Sequence, residues 1–368
     1  MKAVVTGGGV AGSACAIALA RIGADVTVYE AYEDPAGPVG SYVSLAVNGL
    51  RVLDAFGCLA AVQRAGFPVA RQRMWSGGGK LLGDVARNRR PDDDLLSVTL
   101  LRADLVSVLR AEAVRSGATI LTGERLDTRD PRGDAADLIV GADGIWSATR
   151  RGLDPAAPEP VYSGLCMISG VCASRPAGLP PDGFNWIFAR RGVFIFLPAP
   201  DGTVWWTAQI ASAEPPGDPH AIGVPELLDL FRTEPQAVAV LRAATSVRSA
   251  NVGHILKPVT RRHDDRTVLI GDASHPVGAG QGASIAMEDA LVLARHLRAD
   301  PSVAEALAAF DRERQPRAGK LAKMDSRNRD AKVAGPVSAR MREVIMPHVF
   351  GRVFEKATGW LYDFDPAA

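Results

Sequence analysis

Six residues near the amino terminus, Gly7-Gly8-Gly9-Val10-Ala11-Gly12, have the spacing of a turn that holds a phosphate. Gly7 permits the tight turn, Gly9 keeps side-chain atoms away from a pyrophosphate, and Gly12 lets the following helix pack close to its sheet. Eighteen residues after Gly12 stands Glu30, closing the alternating run Asp25-Val26-Thr27-Val28-Tyr29. A carboxylate there accepts hydrogen bonds from ribose hydroxyls and repels a 2′-phosphate, which favours an adenosine dinucleotide such as FAD or NAD. The elements needed to position these groups are in place. An apolar run from Ala3 to Thr6 leads into the glycines and an alanine-rich helical stretch, Ser13 to Arg21, leaves them, as a βαβ unit requires.

Two later segments decide between the dinucleotides. Asp137-Leu138-Ile139-Val140-Gly141-Ala142-Asp143-Gly144 is an apolar strand ending in a tight Asp-Gly turn, followed by Ser147 and Arg150. Thr267-Val268-Leu269-Ile270-Gly271-Asp272-Ala273-Ser274-His275-Pro276 is a second such strand, in which Asp272 also suits a helix N-cap. Beyond it lie Gly280-Gln281-Gly282-Ala283 and a helix carrying Glu288-Asp289-Ala290. In these segments the chain resembles the FAD-dependent aromatic-ring monooxygenases of the p-hydroxybenzoate hydroxylase type. The resemblance runs from Lys2 to about Arg327. It includes Gly40, Ser44-Leu45 and Asn48-Gly49, Arg102 with Leu105 and Leu109, and Phe310-Asp311, Arg314, Pro316 and Arg317.

The resemblance implies an α/β fold: a Rossmann-like FAD-binding domain of the GR2 type, an inserted mixed or antiparallel β-sheet substrate domain, and a long C-terminal helix. It implies FAD contacts at Gly7, Gly9, Val10, Ala11, Gly12, Glu30, Arg102, Leu126, Asp143, Gly144, Gly271, Asp272, Gly280, Gln281, Gly282 and Ala283. Asp272 would meet the ribityl chain, and the helix after Gly282 would aim its N-terminus at the pyrimidine side of the flavin. That end of a helix stabilises negative charge on a reduced flavin. The activity implied is a monooxygenase in which NADH or NADPH, bound transiently, reduces FAD. A flavin C4a-hydroperoxide then transfers one oxygen from O₂ to an aromatic or polyketide-like small molecule. Epoxidation, a Baeyer–Villiger insertion, or a non-redox cyclase or isomerase keeping FAD as a structural element are the alternatives.

The chain departs from the family around the substrate. Only Val277-Gly278-Ala279 separate the His-Pro pair from Gly280, a shorter loop than the family's, and this is the feature that keeps the non-redox alternative open. Tyr42 stands where the family often has a small residue, Val47 where it has proline, and Ser169 where an arginine before glycine is frequent.

A length of 368 residues with 47% hydrophobic content is ample for two domains or one large one with an inserted sheet. A net charge of +1 argues against nucleic acid and anionic membrane partners. The basic run Arg87-Asn88-Arg89-Arg90, followed at once by Pro91 and three aspartates, reads as a solvated loop. Cys15, Cys58, Cys166 and Cys172 lack zinc or redox spacing and read as free thiols. Three glycines break the N-terminal apolar stretch, and no apolar run is long enough to span a bilayer. The expectation is a cytoplasmic monomer or homodimer without a metal.

The chain divides into a discontinuous FAD-binding domain (1–70, 101–160 and 255–300), a substrate-binding domain (71–100 and 161–254) and a C-terminal helical region (301–368). A helix is expected from Arg102 to about Ser116 and another from Pro225 to Leu241, with alternating strands between Val161 and about Ser249. Aromatic residues crowd these strands. Trp186, Phe194, Phe196, Trp206 and Gln209, with Pro276 of the flavin loop, are the candidate substrate pocket. Phe194 and Phe196 share one face of their strand, as do Thr207 and Gln209. His275 reads as a structural hydrogen-bonding residue, and no catalytic base is identified.

Overall fold

The computed structural model describes residues 1–34, 42–126, 135–277, 280–300, 302–332 and 336–366, with side chains outside 325–342. Gly40, Gly278 and Ala279 therefore lie outside the described residues.

Five short apolar segments form a parallel sheet in the order β15-β9-β1-β2-β8. They are β1 (Lys2–Thr6), β2 (Asp25–Glu30), β8 (Thr119–Thr122), β9 (Leu138–Gly141) and β15 (Thr267–Leu269). The centres of β1 and β9 are apolar at consecutive positions because both faces of a parallel sheet are covered. Helix α1 (Val10–Arg21) follows β1 and is buried from Gly12 through Leu19 on every side. Its alanines let it lie close between the sheet, α4 (Arg102–Arg115) and α8 (Gly282–Ala299). The chain leaves β1 towards β2 on one side and later returns to β9 on the other. Strand order thus reverses at the carboxyl end of β1, where an open α/β sheet has its ligand crevice.

The second sheet has seven strands in the order β14-β10-β13-β12-β11-β5-β6. Their spans are β5 (Arg71–Ser76), β6 (Leu81–Ala86), β10 (Val161–Cys172), β11 (Phe184–Ala189), β12 (Gly192–Pro198), β13 (Val204–Ala211) and β14 (Ala244–Ile255). It is mixed, because β11 pairs antiparallel with β12 and parallel with β5. A small antiparallel sheet, β3 (Tyr42–Leu45), β7 (Ser97–Leu101) and β4 (Phe67–Val69), packs against its inner face through Phe67 and Val69. Two short helices, α6 (Val224–Leu230) and α7 (Pro235–Arg242), cover the outer face. One helix from Pro225 to Leu241 was expected; Pro235 divides it, since a residue before proline is driven out of the helical region and Glu234 is extended (φ −108°, ψ 95°).

At the C-terminus, α9 (Val303–Lys332) is followed by α10 (Pro336–Thr358). The latter crosses β6 where Gly83 lets the Phe350 ring sit against the strand. Among the described residues no helix is long and apolar enough to cross a membrane. All four cysteines are free and buried, Cys15 within α1.

Candidate functional site

The glycine turn opens directly from β1. Gly7 takes φ +94°, donates its N–H to the Tyr29 carbonyl (2.7 Å), and abuts Ala142 and Asp143 so closely that a side chain has no room. Gly9 is the N-cap of α1, whose first turn carries no acidic residue. The unpaired N–H groups of that turn and the positive end of the helix therefore face the crevice. Glu30, almost fully buried at the end of β2, accepts from Gly8 N–H (2.7 Å) and Tyr32 N–H (2.9 Å) and so fixes the glycine loop.

Arg102, at the start of α4, brings its guanidinium within 3.4 Å of where a Cβ on Gly9 would lie, and it has no hydrogen bond or ion pair with any described residue. Asp272, in the short 3₁₀ turn Gly271–Ala273, faces the same cleft. The surrounding protein raises its carboxyl pKa by desolvation, opposed by the positive charges of His275 and Arg102. A Cβ on Gly282, the first residue of α8, would lie 3.8 Å from Asp272 Oδ1. The glycine turn, Arg102, Asp272 and the N-terminus of α8 therefore line one continuous cleft. FAD fits this set: an open helix end and a guanidinium for the pyrophosphate, carboxylates for ribose and ribityl hydroxyls, and a second helix N-terminus for the flavin.

The two kinds of glycine separate by substitution. In Gly12→Ala the new Cβ would fall 1.8 Å from Gly7 O, whereas in Gly9→Ala it meets only the tip of Arg102. Gly9→Ala is expected to keep the wild-type melting temperature without FAD and to bind FAD at least about tenfold more weakly, as for a lost charged hydrogen bond. Gly12→Ala is expected to lose both stability and FAD, which calorimetry of the apoprotein and FAD titration will separate.

Asp143 and Arg150 serve this cleft from behind. Asp143 accepts from Ser147 Oγ (2.5 Å) and from Thr149 N and Oγ1 (both 3.0 Å), and Thr149 Oγ1 reaches Thr6 Oγ1 of β1 at 2.9 Å. Its carboxylate is thus spent on the turn, with Gly144 at φ +75°. Buried Arg150 donates to Ala273 O (3.0 Å) and Ile145 O (2.6 Å), clamping the two fingerprint turns together. Leu126 packs on the Val4, Tyr29 and Ala136 cluster.

His275 holds the Asp272 loop through a buried network. Asp289 accepts from Gly271 N (3.0 Å), His275 Nε2 (2.7 Å) and Arg314 Nε (2.7 Å). Glu288 accepts from Asn48 Nδ2 (2.7 Å), Arg314 and Arg317. Burial alone would lower the His275 pKa, but the Asp289 carboxylate outweighs it and the net shift is upward from 6.5. A raised pKa in the folded state contributes stability fully present below pH 6.5 and lost as pH rises through the folded value. The wild-type melting temperature should therefore fall across that window, and His275→Gln should flatten the fall; an unchanged pH profile in the variant contradicts this.

The seven-stranded sheet sorts the candidate pocket residues by face. Phe194, Phe196 and Trp206 are fully buried on the outer face with Phe231 and Leu227 under α6 and α7, so they are core rather than pocket. Alternation placed Phe194 and Phe196 together, but the helices take that face, where each ring stabilises by about 1.5–3 kcal/mol. Trp186 and Gln209 lie on the inner face. There they share strand faces with Val193, Ile195, Trp205 and Thr207, and Phe184 and Phe188 join them. Pro276 is half-buried, and Gln281, the N-cap of α8, keeps Oε1 unpaired while buried.

The inner face also carries polar groups outside the candidate pocket set. Thr207 Oγ1 donates to Tyr42 Oη (3.2 Å) and contacts Ser169 Oγ (2.8 Å). Burial holds the Tyr42 phenol protonated, with its pKa pushed up to about 12. Arg87, read above as part of a solvated loop, is instead buried: it donates to Gln72 Oε1 and lies 3.7 Å over the Phe184 ring centroid. Asn88 beside it is also buried, and it takes φ +52°. The signal was the phase of β6, since Arg87 follows Val85, the register partner of Gln72, by two residues.

A family model described as FAD binding domain matches residues 1–325. The chain is 31% identical over 364 residues to kynurenine 3-monooxygenase of Salinispora arenicola (strain CNS-205), covering 89% of this chain and 79% of that protein. It is 29% identical over 339 residues to aurachin C monooxygenase/isomerase of Stigmatella aurantiaca, covering 86% of each. The fold matches that of a salicylate hydroxylase substrate complex with a TM-score of 0.80, at 19% identity, over 100% of this chain and 96% of the other.

Proposed function

The chain belongs to the FAD-binding-domain family of FAD-dependent aromatic hydroxylases, and on that premise we propose that it hydroxylates a small aromatic substrate held between the flavin and the inner face of the seven-stranded sheet. When bound, FAD supplies the redox chemistry, taking electrons from NADH or NADPH and activating O₂ for transfer of one oxygen atom. The protein's own residues bind, orient and exclude water.

The open N-terminus of α1 and Arg102 take the pyrophosphate, Glu30 and Asp272 take hydroxyls, and the start of α8 takes the pyrimidine edge. Half-buried Trp186, backed by the buried Phe184, Val193 and Ile195, gives a planar ring a dry surface, which favours oxygen transfer over loss of the oxidising equivalent to water. Tyr42 Oη accepts the Thr207 hydroxyl, so its own proton remains to be donated, and the phenol orients an oxygen or nitrogen on the substrate.

The observation that carries this reading is the convergence on one cleft of a complete FAD-binding set with a face that is apolar but for a few placed polar groups. The test is turnover of the FAD-loaded protein with NADH or NADPH, isotopically labelled O₂ and a panel of small phenols, anilines and heteroaromatic acids. A product carrying one labelled oxygen, with coenzyme oxidation accelerated by that substrate, is the expected result. A converted substrate with no oxygen incorporated would contradict it.

A further inference from the structure

Arg87 sits buried at the end of β6 with only 6% of its surface exposed. Among the described residues it makes no ion pair. The guanidinium's one hydrogen-bonding partner among the described residues is the side-chain amide of Gln72, Nε is left without a partner, and the guanidinium stacks on Phe184. The comparison within the same chain is informative. Buried Arg314 is met by Glu288 and Asp289, and buried Arg150 by two backbone carbonyls.

A charge removed from water without a counter-charge costs several kcal/mol and persists when a ligand or function requires it. Arg87 is not relieved by losing its proton, since burial lowers its pKa only to about 10. Nor do its neighbours supply an anion. The ionisable groups that favour its charge are the phenols of Tyr362 and Tyr42, and burial raises both away from ionisation.

The position of this cation is defined on both sides. Its NH2 lies 3.8 Å from where a Cβ on Gly280 would be, just before the helix that receives the flavin. Gln72 and Phe184 place it on the inner sheet face that also carries Trp186, Thr207 and Gln209. It therefore faces the space between flavin loop and sheet. An unpaired Nε and a neighbouring NH2 form a planar fork that matches two carboxylate oxygens, and the Phe184 ring holds that plane fixed.

Resting on the hydroxylase reading above, we propose that the substrate is an aromatic carboxylate and that Arg87 is the residue that binds its carboxylate and thereby sets which ring carbon faces the flavin. Gln72 is a positioning residue, acting through the guanidinium it holds. A neutral aromatic of the same shape leaves the buried charge unpaired and is rejected on that account.

The experiment titrates the FAD-loaded protein with three acid and amide pairs: benzoate and benzamide, salicylate and salicylamide, indole-3-carboxylate and indole-3-carboxamide. Perturbation of the flavin absorbance gives each dissociation constant. In the wild type at least one acid is expected to bind about 30-fold or more tightly than its amide, a ratio within the range measured for truncating one partner of a buried charge pair. Arg87→Gln should bring acid and amide to within about threefold of each other, and Arg87→Lys should recover part of the preference, since it keeps the charge and loses the fork. FAD content and melting temperature of each variant show that the fold and cofactor are retained.

Equal binding of acid and amide in the wild type overturns the proposal. So does failure of every acid to bind, or an acid preference that survives in Arg87→Gln. Adding NADH and NADPH to the same samples separates the two claims. Acid-selective binding without any flavin reduction sustains the anion site and removes the hydroxylase reading, while reduction without acid selectivity does the reverse.

Discussion

Glu30→Ala is expected to weaken FAD binding about 10- to 150-fold, measured by titrating apoprotein with FAD and following quenching of flavin fluorescence. The range is that of a hydrogen bond to a charged group, about 1.5–3 kcal/mol, at 1.4 kcal/mol per decade. Two losses add. Ribose hydroxyls lose a charged acceptor, and Gly8 N–H loses the partner at 2.7 Å that holds the glycine turn in place. Glu30→Gln keeps an acceptor of the same reach without the charge, so it should fall between alanine and wild type. The melting temperature of the FAD-free protein should fall as well, because the Gly8 N–H is buried and loses its acceptor, at a cost of about 1–3 kcal/mol. An alanine variant that binds FAD within about threefold of wild type would mean that Glu30 braces the turn and does not touch the ribose.

The largest loss of stability is expected from Asp289→Ala. Its carboxylate lies at zero exposure among three donors, two of them the side chains of His275 and Arg314, and their charges hold its pKa far below the usual carboxylate range despite burial. Removing it leaves His275 Nε2 and the Gly271 N–H without their acceptor and leaves Arg314 with Glu288 as its one remaining carboxylate. Breaking a buried ion pair by deleting one partner costs about 3–5 kcal/mol, which a urea unfolding curve will report as a lower midpoint. Asp289→Asn keeps an acceptor and should lose less. FAD retention should fall in step, because the same carboxylate fixes Gly271 next to Asp272. A wild-type midpoint in Asp289→Ala would contradict the network's role, and normal FAD retention in a destabilised variant would show that the network supports the fold alone.

The features read most directly from the sequence were those written in backbone geometry. Gly7, Gly144 and Gly271 take positive φ at the ends of strands, and a carboxylate after a strand needs nothing beyond local order to reach its place. The bonding of His275 was also legible, because a lone histidine in a fixed turn usually satisfies a neighbour, here Asp289. What the sequence left undecided was which side of an element faces what. Alternation tells that Phe194 and Phe196 point the same way, yet only the packing of α6 and α7 says that this way is outward. The break before Pro235 carried its own signal, the extended preference of Glu234, but the apolar spacing through Leu241 masked it. Arg87 was hidden for a different reason. Charged runs are solvated far more often than not, and its burial follows from β6 pairing with β5 and from Phe184 and Gly280 closing over it, contacts made by residues distant in the chain.

The proposed function requires that this cleft couple a reduced coenzyme to a flavin under the control of an aromatic substrate. The most direct measurement is anaerobic stopped-flow absorbance of the FAD-loaded protein mixed with NADH and then NADPH, with and without the panel of phenols and aromatic acids. Bleaching of the visible flavin band that accelerates with at least one aromatic is the predicted result. A bound flavin that neither coenzyme reduces, with or without any aromatic present, would contradict the account and assign FAD a structural role.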